Sequence, residues 1–161
     1  MTLEQSATLA RFENGIDVML SALAGTPEEV LDRAPAPGKW NIRQIVVHVA
    51  DDDVVAAMRI RQIAAEPGAL MIGFDQDRWA NGLGYAALSL ELNLEMFIVL
   101  RKTTAEMLRR LPASAWSNVG NHQERGLVTL EAFVAHMANH AELHAGQIRR
   151  IREQFGCPAA T

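Results

Sequence analysis

This 161-residue sequence predicts an all-α fold, a four-helix bundle. Apolar residues recur at intervals of three and four along four long segments, as they do on the buried face of an amphipathic helix. Proline, glycine and polar residues, which end helices, separate these segments. No run shows the alternating apolar and polar pattern of a half-buried strand. Four such helices can enclose one core, so we treat residues 1–161 as a single domain.

The first long helix is predicted to end before Gly25, after an apolar stripe that reaches Leu23. The segment Thr26-Pro27-Glu28-Glu29 then has the pattern of a capping box, and it predicts a short extra helix through Leu31. The two prolines of residues 34–38 lack an amide donor and cannot continue that helix. We expect a stiff connector there.

The second long helix is predicted to begin after Asn41, which can cap it, with Gln44 three residues later. Its apolar stripe runs on toward Ile63 and is interrupted by His48. A loop of roughly twenty residues follows 66–68, longer than compact domains usually contain without a purpose. We expect this loop to cap one end of the bundle.

The last two long helices complete the bundle. Leu88 to Leu111 contains no proline or glycine and has helical periodicity, which predicts the third helix. A polar segment leads to Val128-Thr129, where a hydroxyl can cap the fourth helix, and this helix is predicted to reach about Phe155.

Composition excludes several functional classes. The net charge is −4 and the 15 Lys and Arg residues are spread along the chain, unlike the clustered basic surface that binds nucleic acid. No stretch approaches the roughly 20 apolar residues of a membrane span, and the first residues do not resemble a secretion signal. We therefore expect a cytoplasmic protein with no nucleic-acid or membrane partner. The single cysteine, Cys157, has no partner for a disulfide.

Histidines supply the candidate chemistry. His136, His140 and His144 are spaced by four, so neighbouring members project along one face of the fourth helix. Because His136 and His144 lie about 12 Å apart along the axis, they cannot share one ion. We choose His140 and His144 as metal ligands and expect His48, on the apolar face of the second helix, as the third. The alternative is that these histidines are packed core residues that bind no metal.

A carboxylate near the predicted ligands could assist them. Asp52 lies four residues after His48 on the same face, so we predict it as a catalytic proton acceptor or as a partner of a ligand. Asp51 flanks that face and Asp53 points away from it. If the metal were structural, a fourth protein ligand would close the site, and Asp52, His136 or His122 could serve.

Known catalytic motifs do not match. In His140-Ala141-Glu142-Leu143-His144 the glutamate stands two residues after the first histidine, whereas the metalloprotease motif places it directly after. Glu142 should therefore face away from both imidazoles, into solvent. No phosphate-binding glycine pattern or nucleophilic serine motif is present.

Two separated motifs resemble the DinB/YfiT-like superfamily, and the resemblance spans nearly the whole chain. The first is Gly38-Lys39-Trp40-Asn41-Ile42-Arg43 leading to Val47-His48-Val49-Ala50-Asp51, and the second is His136-x3-His140-x3-His144-x-Gly146-Gln147-Ile148. Residues 73–80 also resemble one branch of this superfamily.

The resemblance implies a four-helix bundle with a non-sequential helix order, a divalent ion held by His48, His140 and His144, and often a homodimer. Relatives include thiol transferases and thiol-dependent isomerases. Some relatives have a histidine where this chain has Leu143.

We therefore expect a metal-dependent enzyme, a thiol-dependent S-transferase or a related hydrolase or isomerase, acting on a small molecule with a low-molecular-weight thiol as a possible partner. Zinc or nickel is the expected ion, with iron or copper as alternatives. The loop containing Trp79 would close the pocket, and Arg59 or Arg43 could attract an anionic substrate. The rival expectation is a non-catalytic metal-binding or stress-related bundle.

Overall fold

The computed structural model describes residues 1–158 and contains four long helices, as the sequence predicts. Two short helices, two 3-10 turns and three short strands complete it. The elements are α1 (Leu3–Leu23), α2 (Glu28–Leu31), α3 (Ile42–Ala65), β1 (Leu70–Met71), α4 (Gln76–Gly82), α5 (Leu90–Arg110), β2 (Val119–His122), β3 (Gly126–Thr129) and α6 (Leu130–Gln154), with 3-10 turns at Tyr85–Ala87 and Ala113–Ser117. Within residues 1–158, no helix is both long enough and apolar enough to cross a membrane.

Side-chain caps set where the long helices begin. Asn41 accepts from the amide of Gln44, whose side chain accepts from the amide of Asn41, so the predicted capping box of α3 is confirmed. The Thr129 hydroxyl caps α6, also as predicted. The capping box predicted at Thr26 is wrong: Pro27 is the N-cap of α2, and the Thr26 hydroxyl donates instead to the carbonyl of Leu23.

The long helices are not neighbours in the order in which they occur in the chain. α1 packs against α6 and α5, and α3 packs against the same two helices. Going round the bundle, the order is therefore α1, α6, α3, α5. This non-sequential order places α3 beside α6, the two helices that carry the candidate histidines.

A small sheet corrects the expectation that the fold contains no strand. β1 pairs in parallel with β2, and β2 pairs antiparallel with β3, which continues directly into α6. The predicted twenty-residue loop is correspondingly more ordered than expected, since it contains β1, α4 and a 3-10 turn. Strands of two to four residues are too short to show a period of two in the sequence. The sheet lies beside the face where α3 meets α6, because β2 contacts α3 and β3 contacts α6, and α4 also contacts α3.

A buried ion pair connects all four long helices. Arg101 of α5 is 0% exposed, and it donates to the Asp53 carboxylate on α3 and to the carbonyls of Phe12 on α1 and Met137 on α6. Gly15 leaves room for this guanidinium, because a Cβ there would collide with it. Asp53 does point away from the histidines, as predicted, but toward the core.

Candidate metal site

Three histidines from two neighbouring helices converge between α3 and α6. His48, His140 and His144 each offer a ring nitrogen, and these three atoms lie within 4.8 Å of one another. His48 is 2% exposed, whereas the other two are partly exposed. Among residues 1–158 this is the one group of three or more histidine, cysteine or acidic residues close enough to hold an ion. The structure thus brings together the three residues that the sequence predicts as ligands.

The second ring nitrogens of His140 and His144 already have neighbours. Nδ1 of His144 lies 3.0 Å from Oε1 of Gln147. Nδ1 of His140 lies 3.3 Å from Oδ2 of Asp52, although the angle is not that of a hydrogen bond. Since an amide oxygen and an ionised carboxylate only accept, both neighbours favour the tautomer that carries its proton on Nδ1. The Nε2 atoms then keep their lone pairs.

Those two Nε2 atoms face each other at 3.1 Å. Two lone pairs at this distance repel unless a cation lies beside both. Two nitrogens bound tetrahedrally to one ion, with bonds of about 2.0–2.1 Å, are separated by roughly 3.3 Å. The observed spacing therefore fits a shared metal ion.

His48 supplies a second indication that the cluster suits a metal ion. Both of its ring nitrogens are buried without a hydrogen bond, which is costly for a polar group. The Trp40 ring packs on it with centroids 4.9 Å apart. Burial, together with the neighbouring imidazole of His144, lowers the pKa of His48 to about 4. The ring is thus neutral near pH 7, as a metal ligand must be.

The same physical causes act on the other two rings. Burial lowers the pKa of His140 far below its usual value, and the nearby imidazoles of His144 and His48 add to the effect. Burial also lowers the pKa of His144. The site consequently contains three neutral nitrogen donors, a set that suits zinc, nickel, copper or iron.

Asp52 lies beside His140 and faces a cavity. Its side chain is 15% exposed. Burial raises the pKa of Asp52 to about 6, against the opposing effect of the cations Arg59, Arg101 and Arg125. Asp52 lines the cavity together with His48 and His140. The carboxylate is therefore placed both to orient His140 and to contact a molecule in the cavity.

The cavity has a volume of about 220 Å³ and opens beside the histidines. Helices α3 and α6 form one side. The other side comes from two connecting segments, where Gly73, Phe74 and Gln76 precede or begin α4, and Glu124 and Arg125 join β2 to β3. The small sheet holds these segments together, because the amide of Gln123 donates to the carbonyl of Met71.

Several predicted roles need correction or refinement. The loop containing Trp79 does line the cavity, but through Phe74, against which the Trp79 ring packs with ring centroids 4.6 Å apart. Arg43 is paired with Asp32, with Nε 2.7 Å from Oδ1, whereas Arg59 lines the cavity. Glu142 faces away from the histidines, as predicted, but pairs with Arg11.

The remaining histidines line the cavity outside the cluster of three. Nε2 of His136 lies 3.2 Å from Nη1 of Arg125. Since arginine only donates, this nitrogen accepts and is already engaged. Nδ1 of His122 accepts from the amide of Glu124. Neither histidine joins the cluster as a fourth ligand.

Sequence reasoning missed two participants, Gln147 and Arg125. Gln147 lies three residues after His144, a spacing that places both on one helix face, so helical periodicity could have identified it. Arg125 lies in the turn between β2 and β3, and its position depends on a sheet that the sequence does not reveal.

Fold and site together define a helical-bundle protein with a three-histidine cluster able to hold a divalent metal ion. The chain belongs to the DinB superfamily, whose family model matches residues 11–148.

Similar proteins carry related descriptions. A protein of Oceanobacillus iheyensis, named "putative metal-dependent hydrolase", is 27% identical over 123 residues, which cover 76% of this chain and 71% of that protein. A Bacillus mycoides protein with the same description is 26% identical over 134 residues, covering 83% and 77% of the two chains.

Two solved structures share the fold. YfiT from Bacillus subtilis, described as "a probable metal-dependent hydrolase with an unusual four-helix bundle topology", superposes with a TM-score of 0.88 at 19% identity, covering 97% of this chain and 90% of that one. A mycothiol-dependent maleylpyruvate isomerase superposes with a TM-score of 0.73 at 13% identity, covering 92% of this chain and 63% of that protein.

Proposed function

We propose that this protein is a metal-dependent enzyme in which His48, His140 and His144 hold one divalent ion, zinc or nickel before iron or copper. The observation that carries the proposal is the 3.1 Å approach of two Nε2 atoms whose opposite ring nitrogens already face acceptors. The orphaned nitrogens of His48 support it. The descriptions of the relatives as metal-dependent hydrolases agree with this chemistry.

Three histidine ligands would leave a coordination position of the proposed ion open. A structural site is usually closed by four protein ligands, whereas catalytic sites commonly use three. In the described part of the chain the cluster contains three members, and a cavity begins beside it. This arrangement favours catalysis over the rival function, a metal that only stabilises the bundle.

The reaction we propose is nucleophilic attack by a small thiol or by water on an electrophilic small molecule. A divalent ion bound by three imidazoles lowers the pKa of a thiol or water and so provides thiolate or hydroxide at neutral pH. Asp52 accepts the proton or orients the incoming nucleophile from the cavity wall. The side chains of Asp52 and Gln147 hold His140 and His144 in orientation. On the cavity wall opposite α3 and α6, Phe74 limits the access of water, and Trp79 packs against Phe74.

Thiol transfer is the first activity to test, with hydrolysis and isomerisation as related alternatives. The thiol-dependent isomerase among the structural neighbours supports this order, although it shares only the fold with this chain. The transfer forms a carbon–sulfur bond, and either a leaving group departs or the electrophile keeps the electron pair and takes up the proton released by the thiol.

The first experiment is elemental analysis of untagged protein, comparing the native chain with a His140→Ala, His144→Ala double variant. A His136→Ala variant is the matched control, because His136 lies on the same helix but outside the cluster. We expect about one equivalent of metal in the native and control proteins and loss in the double variant. Absence of metal from the native protein and from both variants, after supplementation with zinc and nickel, would contradict the proposal.

An activity assay then separates the two nucleophiles. Consumption of cysteine or glutathione with 1-chloro-2,4-dinitrobenzene reports thiol transfer, and release of nitrophenol from 4-nitrophenyl acetate reports hydrolysis. We expect the double variant to lose whichever activity the native protein shows. Metal without either activity, across a panel of electrophiles, would favour the non-catalytic alternative.

A further inference from the structure

Two arginines line the end of the cavity that lies away from the three histidines. His48, Asp52 and Arg59 follow one another along α3 and all line the cavity. On the neighbouring α6, His140 and then His136 line it in order of decreasing residue number. Eleven residues of helix separate the Cα atoms of His48 and Arg59 by roughly 16 Å, and the arginine side chain leans back toward the helix N-terminus. A small molecule in this cavity can therefore contact both ends.

Arg59 is a buried cation without a carboxylate bonded to it. It is 6% exposed, its Nη2 donates to the carbonyl of Ile72, and its Nε has no hydrogen-bond partner. Among residues 1–158 no carboxylate oxygen lies within 4.0 Å of it, whereas Arg43 and Arg101 each have such a partner. Asp52 and Glu124 stabilise the Arg59 cation only through space, and a buried charge without a hydrogen-bonded counter-ion is costly. Such a group is therefore suited to an anion that arrives with a ligand.

Arg125 faces the same cavity from the turn between β2 and β3. The one described hydrogen-bond partner of its side chain is the neutral ring of His136, and no carboxylate in the described part of the chain forms an ion pair with it. The carboxylates that line the cavity are Asp52 and Glu124. With a divalent ion on the three histidines, the charge around the cavity is positive.

We propose that the substrate carries an oxyanionic group, a carboxylate or a phosphate, which binds between Arg59 and Arg125 while the reacting part of the molecule lies at the three histidines. Planar guanidinium groups match both oxyanions through paired hydrogen bonds. In this complex the anion compensates the buried charge of Arg59. Arg125 contacts the anion from the exposed side of the cavity. This inference rests on the proposed function for the reacting end, but the anion site itself is defined by the arginines.

Calorimetric titration of the protein, with its metal as purified, tests the anion site. Succinate and inorganic phosphate serve as the two oxyanion probes, and succinamide serves as the neutral analogue of succinate. The variants are Arg59→Gln and Arg125→Gln, with Arg150→Gln on the exposed surface of α6 as the control that removes the same charge. Metal content and the circular dichroism of each variant are measured in parallel.

We expect at least one oxyanion to bind and succinamide not to bind. Arg125→Gln should weaken binding about tenfold or more, since a charge-assisted hydrogen bond is lost, and Arg150→Gln should not. The tighter probe identifies the oxyanion as carboxylate or phosphate. If Arg59→Gln fails to fold, the exposed Arg125 still provides the test.

Other outcomes would overturn the inference, and they differ from failure of the proposed function. Equal affinity in the native protein and Arg125→Gln, or equal binding of succinate and succinamide, would show that the arginines do not form an anion site. Repeating the titration after metal removal separates the two proposals. Oxyanion binding that depends on Arg125 in a protein that never contains metal would preserve this inference and remove the proposed function.

Discussion

Arg101 and Asp53 form an ion pair in the centre of the bundle, with Nε 2.9 Å from Oδ2 and side chains that are 0% and 3% exposed. The rings of Phe12 and Phe97 both pack on the guanidinium, with centroids 4.4 Å and 4.8 Å from its central carbon. These two rings belong to separate apolar clusters. The ion pair therefore lies at the junction between the two halves of the core.

Removing one partner of this pair should destabilise the protein strongly. Asp53→Ala leaves the Arg101 guanidinium buried without its counter-ion, and we expect a loss of about 3–5 kcal/mol in the free energy of unfolding. Urea denaturation followed by circular dichroism measures it. Glu106→Ala, which removes an exposed partner of Arg110, is the control and should change stability by less than about 1 kcal/mol. Similar effects of both substitutions would contradict the central role of the buried pair.

The neighbours of the histidine rings should control metal affinity. Asp52→Asn and Gln147→Ala each remove a group that orients a ring, so each should weaken binding roughly 10- to 100-fold. Competition against a chelator of known affinity provides the measurement. Asn139→Ala, at an exposed position on α6, is the control. Unchanged affinity in both test variants would mean that helix packing alone orients the ligands.

A side chain at Gly120 should destabilise the fold. A Cβ there would lie 2.8 Å from Cγ1 of Ile63 and 2.9 Å from Cε of Met71, both of which are buried. Gly120→Ala should therefore cost about 1–3 kcal/mol through overpacking. Gly82→Ala, where no atom lies within 4 Å, should be neutral or stabilise α4 by up to about 1 kcal/mol. Thermal unfolding of both variants distinguishes crowding at β2 from a general effect of replacing glycine.

His122 should make stability depend on pH. Burial lowers the pKa of this imidazole, and the cations Arg59 and Arg125 lower it further, against the effect of Glu124. Because the folded pKa lies below the unfolded value, the contribution to stability is present above about pH 6.5 and is lost as the pH falls. His122→Asn keeps an acceptor for the Glu124 amide but does not titrate. The unfolding free energy of the His122→Asn variant should fall less between pH 7 and pH 5 than that of the native protein. Parallel curves of unfolding free energy against pH for the two proteins would contradict this account.

Much of the fold could be predicted because its signals are local. The stripes of α3, α5 and α6, together with the caps at Asn41 and Thr129, depend on residues a few positions apart. The spacing of His140 and His144 is equally local, and their convergence follows from it. His48 required the further step that its helix face is buried, and the structure shows this ring at 2% exposure.

The features that were missed depend on contacts between distant parts of the chain. β1 and β2 are separated by almost fifty residues, and each is too short to be recognised alone. The partner of Asp53 is Arg101, on another helix, and no spacing within α3 or α5 indicates this pair. Thr26 had the right sequence for a capping box, but its hydroxyl bonds backward to Leu23 instead. Local pattern cannot decide whether this hydroxyl accepts from the amide of Glu29 or donates to the carbonyl of Leu23.

The two sides of the cavity differ in how freely they can change during evolution. The histidines lie on helices whose other faces form the core, so most substitutions there would cost stability. The opposite wall comes from the turns around residues 73–76 and 123–125, which tolerate variation more readily. Because the backbone of Met71 and the amide of Gly73 are both hydrogen-bonded to Gln123, the two turns are expected to diversify together. A lineage of such proteins could thus acquire new substrates by paired replacement of two short surface turns while retaining one reaction chemistry.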